Sequence, residues 1–179
     1  MNFGIILFSW LLTALSPSEN CETCQQDTPY LCAANTLPLN SRICIDISEV
    51  PTFFYEDFLA AKAEEFGPKT DRFESLLPDF KLWNKLLPQL SEEQIKSKFF
   101  ESDELALMPL VGITLEQAEA FCEWRTEAFK VELATMDPQD RADFPKNFEF
   151  RLPTAAEWGR LRFLYQDKKM MKRIGKLAS

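Results

Sequence analysis

The segment from Phe150 to Trp158 constrains the fold of this chain most strongly. Its first residues form a short apolar run that is predicted to be extended and to end at Pro153, since proline interrupts a strand. Thr154 and Glu157 stand three positions apart and match a capping box, which predicts a helix directly after the strand. The segment is therefore predicted to convert a strand into a capped helix within a few residues.

Other segments have the same organisation. Residues 108–113 are predicted to be extended, and a capping box from Thr114 to Gln117 predicts a helix after them. That helix carries one stripe at helical spacing, formed by Ala118, Phe121, Cys122 and Arg125. A further capping box from Ser91 to Gln94 predicts a short helix through about Phe100.

An earlier strand and helix are predicted between residues 43 and 66. Isoleucines at 43, 45 and 47 alternate with more polar residues, the pattern of a half-buried strand. Thr52 is the predicted N-cap of the following helix, which Gly67 ends. Residues 68–107 are interpreted as an insertion packed on the domain, because they are too few for an independent core. Residues 135–149 are predicted to be a polar loop.

The N-terminal 18 residues resemble an export signal. Gly4 to Leu15 is an apolar run of 12 residues, too short for a membrane span of about 20 residues, and small residues follow it. The alternative is a buried N-terminal strand or helix, because no basic residue precedes the run. The chain is therefore expected to be periplasmic, in the cell envelope or secreted, with no transmembrane span in its mature form.

Most of the cysteines lie in a Cys-rich N-terminal segment, residues 19–42, and just after it. In an exported chain they are interpreted as disulfide candidates, although a zinc site of four thiolates is an alternative. The fifth, on a predicted helix, is either a buried apolar residue or the partner of an N-terminal cysteine such as Cys44. The candidates are Cys21, Cys24, Cys32, Cys44 and Cys122.

Composition excludes several classes of function. The 179 residues include no histidine, which removes histidine-dependent triads and imidazole metal sites. The net charge is −8, although residues 159–179 hold seven basic residues and one acidic residue. An acidic body does not suit nucleic acid as a partner. The basic stretch at 166–179 is interpreted as a helical tail with a solvated face.

Three segments, 43–58, 108–124 and 151–158, resemble the formylglycine-generating enzyme family, the sulfatase-modifying-factor superfamily, in a form similar to that of gliding bacteria. The string Arg-Leu-Pro-Thr-Ala-Ala-Glu-Trp differs at one position from the family's Arg-Leu-Pro-Thr-Glu-Ala-Glu-Trp. The sequence departs from the family at Pro51, Thr52 and Leu115 and after Trp158. Residues that carry the resemblance as a structural motif are Glu49, Tyr55, Arg151, Leu152, Pro153, Thr154, Glu157 and Trp158.

The resemblance implies an α+β fold, a partial C-type-lectin-like domain over 43–165 with short strands and two or three capped helices. The family's copper-binding cysteine pair and most of its calcium ligands lie in a C-terminal half that has no match here, and no cysteine follows Cys122. No catalytic, cofactor-binding or metal residue is therefore assigned. Copper and calcium are expected only if a missing half completes the domain.

The favoured function is a non-catalytic, exported protein with a binding or assembly role in the cell envelope. One alternative is a fragment or subunit of a formylglycine-generating oxidase that acts on a sulfatase cysteine. Another is a disulfide-stapled secreted module. Because a partial domain leaves strand edges exposed, a protein partner or self-association is expected.

Overall fold

The computed structural model describes residues 14–16, 32–40 and 42–166. This part of the chain combines helices with short antiparallel strands, which confirms the predicted α+β class. In chain order the elements are β1 (Ala14–Ser16), β2 (Thr36–Pro38), β3 (Cys44–Asp46), α1 (Thr52–Phe66), α2 (Asp71–Glu74), α3 (Phe80–Leu86), α4 (Glu92–Glu101), α5 (Leu115–Thr135), α6 (Pro138–Arg141), β4 (Glu149–Arg151) and α7 (Ala155–Gln166). None of the helices described is both long and apolar enough to cross a membrane.

The chain divides into two compact units, each described separately below. Among the described residues, the first unit consists of 49–121, and the second contains the residues before 49 and after 121. The predicted domain boundaries at residues 43 and 165 stay a prediction. Residues 68–107 belong to the first unit and do not form a unit of their own.

The sheet lies in the second unit and has the strand order β2-β3-β1-β4, with all neighbours antiparallel. Strand β1 is interior: Leu15 lies opposite Cys44 of β3 and Phe150 of β4. This strand falls inside the predicted export signal, and cleavage after Ser18 would remove it. The signal itself stays a prediction.

Strand β3 confirms the predicted strand but not its half-buried character. Cys44, Ile45 and Asp46 are all buried, at 7%, 5% and 7% exposure. The alternating pattern predicted one polar, solvent-facing side. That side is buried because Cys44 belongs to an apolar core and Asp46 is paired with a cation, as described below.

The predicted extended run after Pro109 does not form a strand. Pro109 makes only an isolated bridge to Pro51, and the Leu110 N–H donates to the Val50 carbonyl at 2.9 Å. Gly112 interrupts the extended backbone with φ at +78°, and the carbonyls of Val111 and Gly112 accept from the Trp83 indole and the Asp79 N–H instead of from a neighbouring strand.

Helix α1 begins one residue earlier than predicted. Pro51 occupies the cap position and Thr52 is the first helical residue, so Thr52 is not the N-cap. Its hydroxyl and its N–H both donate to the Met108 carbonyl at 2.9 Å. These bonds satisfy the polar groups of a fully buried threonine. Gly67 ends the helix as predicted, with φ at +86°.

The three predicted capping boxes are present at the starts of α4, α5 and α7. In the first unit, Gln117 accepts from the Thr114 N–H and also donates to the carbonyls of Ser75 and Leu77 at 2.8 and 2.9 Å. The cap of α5 therefore also holds the turn after α2 in place.

Residues 135–149, predicted to be a plain polar loop, contain the short helix α6. Asp137 caps it by accepting from the Gln139 N–H at 2.9 Å, and Pro138 occupies the first turn. An Asp-Pro pair is itself a helix-start signal, because proline at the first helical position has a suitable φ and needs no hydrogen bond.

Aromatic rings form the core of the first unit. Tyr55, Phe58 and Phe121 lie with ring centroids 5.1–5.9 Å apart, and all three are fully buried. Trp83, also fully buried, donates its indole N–H to the Val111 carbonyl at 3.0 Å. Aromatic side chains from α1, α3 and α5 therefore form a packed core in this unit.

Two glycines are expected to respond oppositely to alanine. Gly112 has φ +78°, and a Cβ there would lie 2.7 Å from the Asp79 carbonyl oxygen. Gly112→Ala should lower the free energy of unfolding by roughly 1–3 kcal/mol. Gly159 lies in α7 with no atom within 4 Å of the added Cβ, so Gly159→Ala should raise it by about 0.5–1 kcal/mol. Urea unfolding followed by circular dichroism measures both, and changes of the same sign would contradict this structure.

Candidate functional site

The junction of β4 and α7 is held by a two-bond ion pair. Arg151 Nη1 donates to Glu157 Oε2 at 2.9 Å, and Nη2 donates to Oε1 at 2.7 Å. Arg151 Nη1 also donates to the Leu152 carbonyl at 3.1 Å. The planar guanidinium fits a carboxylate in this geometry, which makes the pair both strong and orienting.

The same carboxylate closes the cap of α7. Thr154 N–H donates to Glu157 Oε2 at 2.6 Å, and the Glu157 N–H donates to the Thr154 hydroxyl at 3.3 Å. Hydrogen bonds from Arg151 lower the pKa of Glu157 to about 2, against the opposing effect of burial, and Thr154 adds to the lowering. Glu157 is 8% exposed, so these bonds act with little competition from water.

The apolar residues of the segment pack into the second unit. Leu152 packs against the cluster that contains Phe150. Trp158 packs against Ile45 and Leu161. Pro153 follows β4, which ends at Arg151. The segment therefore forms the predicted strand-to-helix turn, and its apolar side chains pack into the core of this unit.

A buried ion pair lies beneath this junction. Arg125 of α5 donates through Nη1 and Nη2 to the two oxygens of Asp46 on β3, at 2.7 and 2.8 Å. Both residues are 7% exposed. The guanidinium also lies over the Phe150 ring, 4.1 Å from its centroid. Three elements, β3, α5 and β4, thus meet at one guanidinium.

Thr126, the next residue of α5, binds β4 directly. Its hydroxyl accepts from the Phe150 N–H at 2.8 Å and donates to the Cys122 carbonyl at 2.9 Å. Sequence reasoning did not find this contact or the ion pair. One signal was present, because Arg125 stands on an otherwise apolar helical stripe, where a charge requires a buried partner.

The cysteines take two states in the described residues. Cys32 and Cys44 form a disulfide with Cα atoms 5.7 Å apart. Cys122 is 3% exposed and lies in the same apolar core as Cys44. Of the two alternatives for Cys122, the buried apolar residue is the one observed. Cys21 and Cys24 lie outside the described residues.

The remaining motif residues belong to the first unit. Tyr55 is fully buried and donates its hydroxyl to the Leu76 carbonyl at 2.8 Å, and burial raises its pKa. Glu49 is half-buried, and burial raises its pKa as well. Both therefore lie in a different compact unit from residues 151–158.

The described side chains do not fit a copper or calcium site. Two of the three cysteines there are joined in a disulfide, and the third, Cys122, is buried in an apolar core. Within residues 14–16, 32–40 and 42–166, no three or more Cys, Asp or Glu side chains are grouped as metal ligands.

A comparison with known protein families identifies the family of this chain. A family model described as a sulfatase-modifying factor enzyme 1-like domain matches residues 24–160. The chain belongs to this family. The match confirms the resemblance and starts before residue 43, so it includes the disulfide-bonded Cys32. No curated protein and no solved structure gives a significant match.

In this sulfatase-modifying-factor domain, the Arg151–Glu157 pair is expected to stabilise the fold in a pH-dependent way. A carboxyl whose pKa falls to about 2 on folding stabilises the protein above its unfolded pKa, 4.5. That stabilisation is lost as the pH falls through about 2. Glu157→Gln should therefore lower the free energy of unfolding by roughly 2 kcal/mol at pH 7 and by less than half of that at pH 3.

Urea unfolding of the wild type and Glu157→Gln at the two pH values measures this difference. Glu119→Gln, at an exposed position of α5, is the control and should change stability little at either pH. An equal cost of Glu157→Gln at pH 7 and pH 3 would mean that the ionised pair contributes nothing.

Proposed function

We propose that this chain is a non-catalytic member of the sulfatase-modifying-factor family, exported from the cell, with a binding or assembly role in the cell envelope. The observation that carries the proposal is the use of the family string at residues 151–158. Its charged groups bind each other and the backbone of the same strand-to-helix turn.

A catalytic acid or base needs a pKa near the working pH and an atom that can form a hydrogen bond with the substrate. Glu157 has a pKa of about 2, and both of its oxygens accept hydrogen bonds from Arg151 or Thr154. At neutral pH it is therefore a poor proton donor and a weak base. Its charge serves to hold Arg151 and the start of α7.

The thiols also support a non-catalytic role. The resemblance implies that family chemistry uses a pair of cysteines that bind copper. Here Cys32 and Cys44 are oxidised to each other. Cys122 is enclosed in an apolar core with Leu133, Phe148 and other buried residues. At 3% exposure its sulfur atom is not open to a substrate in solution.

The Cys32–Cys44 disulfide supports export, because disulfides persist in oxidising compartments such as the periplasm or the extracellular space. The proposal includes a C-type-lectin-like arrangement, which the small antiparallel sheet and capped helices support. It also includes a protein partner or a second copy as the binding target. The outer strands β2 and β4 of the described sheet support that part, since an outer strand can pair with another chain.

The experiment combines location and activity. The chain with a C-terminal tag is produced in a bacterial host, the cells are fractionated, and the purified protein is incubated with copper, oxygen and a sulfatase-type cysteine peptide. We expect the protein in the envelope or periplasmic fraction and no formylglycine by mass spectrometry. An active formylglycine-generating enzyme serves as the positive control.

Formation of the aldehyde by the purified chain would overturn the non-catalytic role and favour the oxidase alternative. Recovery of the chain only from the cytosol, with Cys32 and Cys44 reduced, would overturn export. The two results are independent, so either part of the proposal can fail alone.

A further inference from the structure

An open groove of about 470 Å³ lies in the second unit, between the last turns of α5, helix α6 and the loop that leads to β4. Its volume is within the range of about 300–1,000 Å³ that is usual for small-molecule sites. The family string at 151–158 does not line it. The groove is therefore separate from the site described above.

The floor of the groove is apolar and fixed by the core. Leu133 and Phe148 line it and belong to the buried cluster of the second unit. Phe144 lines it too, with its ring centroid 5.6 Å from that of Phe129, and Phe129 also contacts Phe148 at 5.4 Å. Because these rings pack against one another, the floor exists before any ligand arrives.

The charged side chains that line the groove are all basic. Lys130, Arg141 and Lys146 are exposed residues of the lining, whereas the chain as a whole has a net charge of −8. Lys130 also pairs with Glu127 at 2.7 Å. Three acidic residues, Asp137, Asp140 and Asp143, lie near these basic residues in the sequence, but none of them lines the groove. The lining thus offers positive charge beside an apolar floor.

We propose that this groove binds a small amphipathic organic anion. Its aromatic or aliphatic body would lie on Leu133, Phe144 and Phe148. Its carboxylate or sulfonate would lie between the basic side chains of the lining, which form the rim of the groove: Lys130, Arg141 and Lys146. An apolar floor favours the body by removing its surface from water. The rim favours the anionic group and disfavours a cation of the same shape.

The test uses two probes of nearly equal shape, 1-naphthoate and the neutral 1-naphthamide, titrated into the full chain and followed by amide chemical shifts in NMR spectra. We expect saturable shifts at groove residues, with a dissociation constant on the order of 1 mM for naphthoate. Naphthoate should bind several-fold more tightly than naphthamide, because only naphthoate gains from the rim charges.

Three variants make the test specific. Arg141→Glu with Lys146→Glu should weaken naphthoate binding at least about fivefold and change naphthamide binding by less than about twofold. Ala142→Trp, at an exposed lining position, should block both probes. Lys69→Glu with Lys85→Glu, at exposed positions that do not line the groove, makes the same charge change and should leave both affinities unchanged.

Equal affinity for the two probes, or equal weakening by the control variant, would overturn the proposal. An absence of shifts at groove residues up to about 10 mM naphthoate would also overturn it. If the same amides move on simple dilution of the protein and naphthoate does not compete, the groove is a contact between copies of the chain and the proposal is wrong.

Discussion

The buried pair of Asp46 and Arg125 is the interaction on which the second unit depends. Taking two charges out of water costs several kcal/mol per ion, and only close, well-aligned hydrogen bonds offset that cost. Both bonds of the pair are present, at 2.7 and 2.8 Å, and each residue is 7% exposed. The geometry leaves little freedom, so β3 and α5 are fixed relative to each other within this unit.

The pair also sets the position of the family string. The Arg125 guanidinium lies over the Phe150 ring, and the neighbouring Thr126 accepts the Phe150 N–H. Strand β4 is therefore placed by two consecutive residues of α5. Arg151 follows Phe150 and carries the second ion pair, to Glu157, which starts α7. The buried ion pair is therefore connected through β4 to the cap of α7.

The two ion pairs differ in what they contribute. The Asp46–Arg125 pair is enclosed on both sides, and removing one partner leaves an uncompensated buried charge. In the Arg151–Glu157 pair the arginine side chain is 28% exposed, so water screens it partly and the contribution is smaller. The first pair specifies how elements distant in sequence come together, and the second specifies where α7 begins.

Features predicted from the sequence are those whose signals are local. Capping boxes at Ser91, Thr114 and Thr154 join residues three positions apart, and a helix stop at Gly67 needs only that residue's φ. Sequence reasoning missed the partner of Arg125, which is 79 positions away. No local pattern encodes such a distance.

The misassigned segments have equally physical causes. Residues 110–113 have strand composition, but Gly112, with φ at +78°, interrupts the extended backbone. The position of Asp46 in the strand predicts that it faces solvent, but it is buried because it pairs with Arg125 of α5. The groove beside α6 depends on side chains from three separate segments, so no single stretch of sequence indicates it.

The most direct measurement is a double-mutant cycle on Asp46 and Arg125 by urea unfolding. We predict that Asp46→Leu and Arg125→Met each lower the free energy of unfolding by about 3–5 kcal/mol, and that the double variant costs no more than either one. Glu65→Gln, in the exposed pair of Glu65 with Lys62, should cost less than about 0.5 kcal/mol. Single costs below about 1 kcal/mol that simply add would contradict the account.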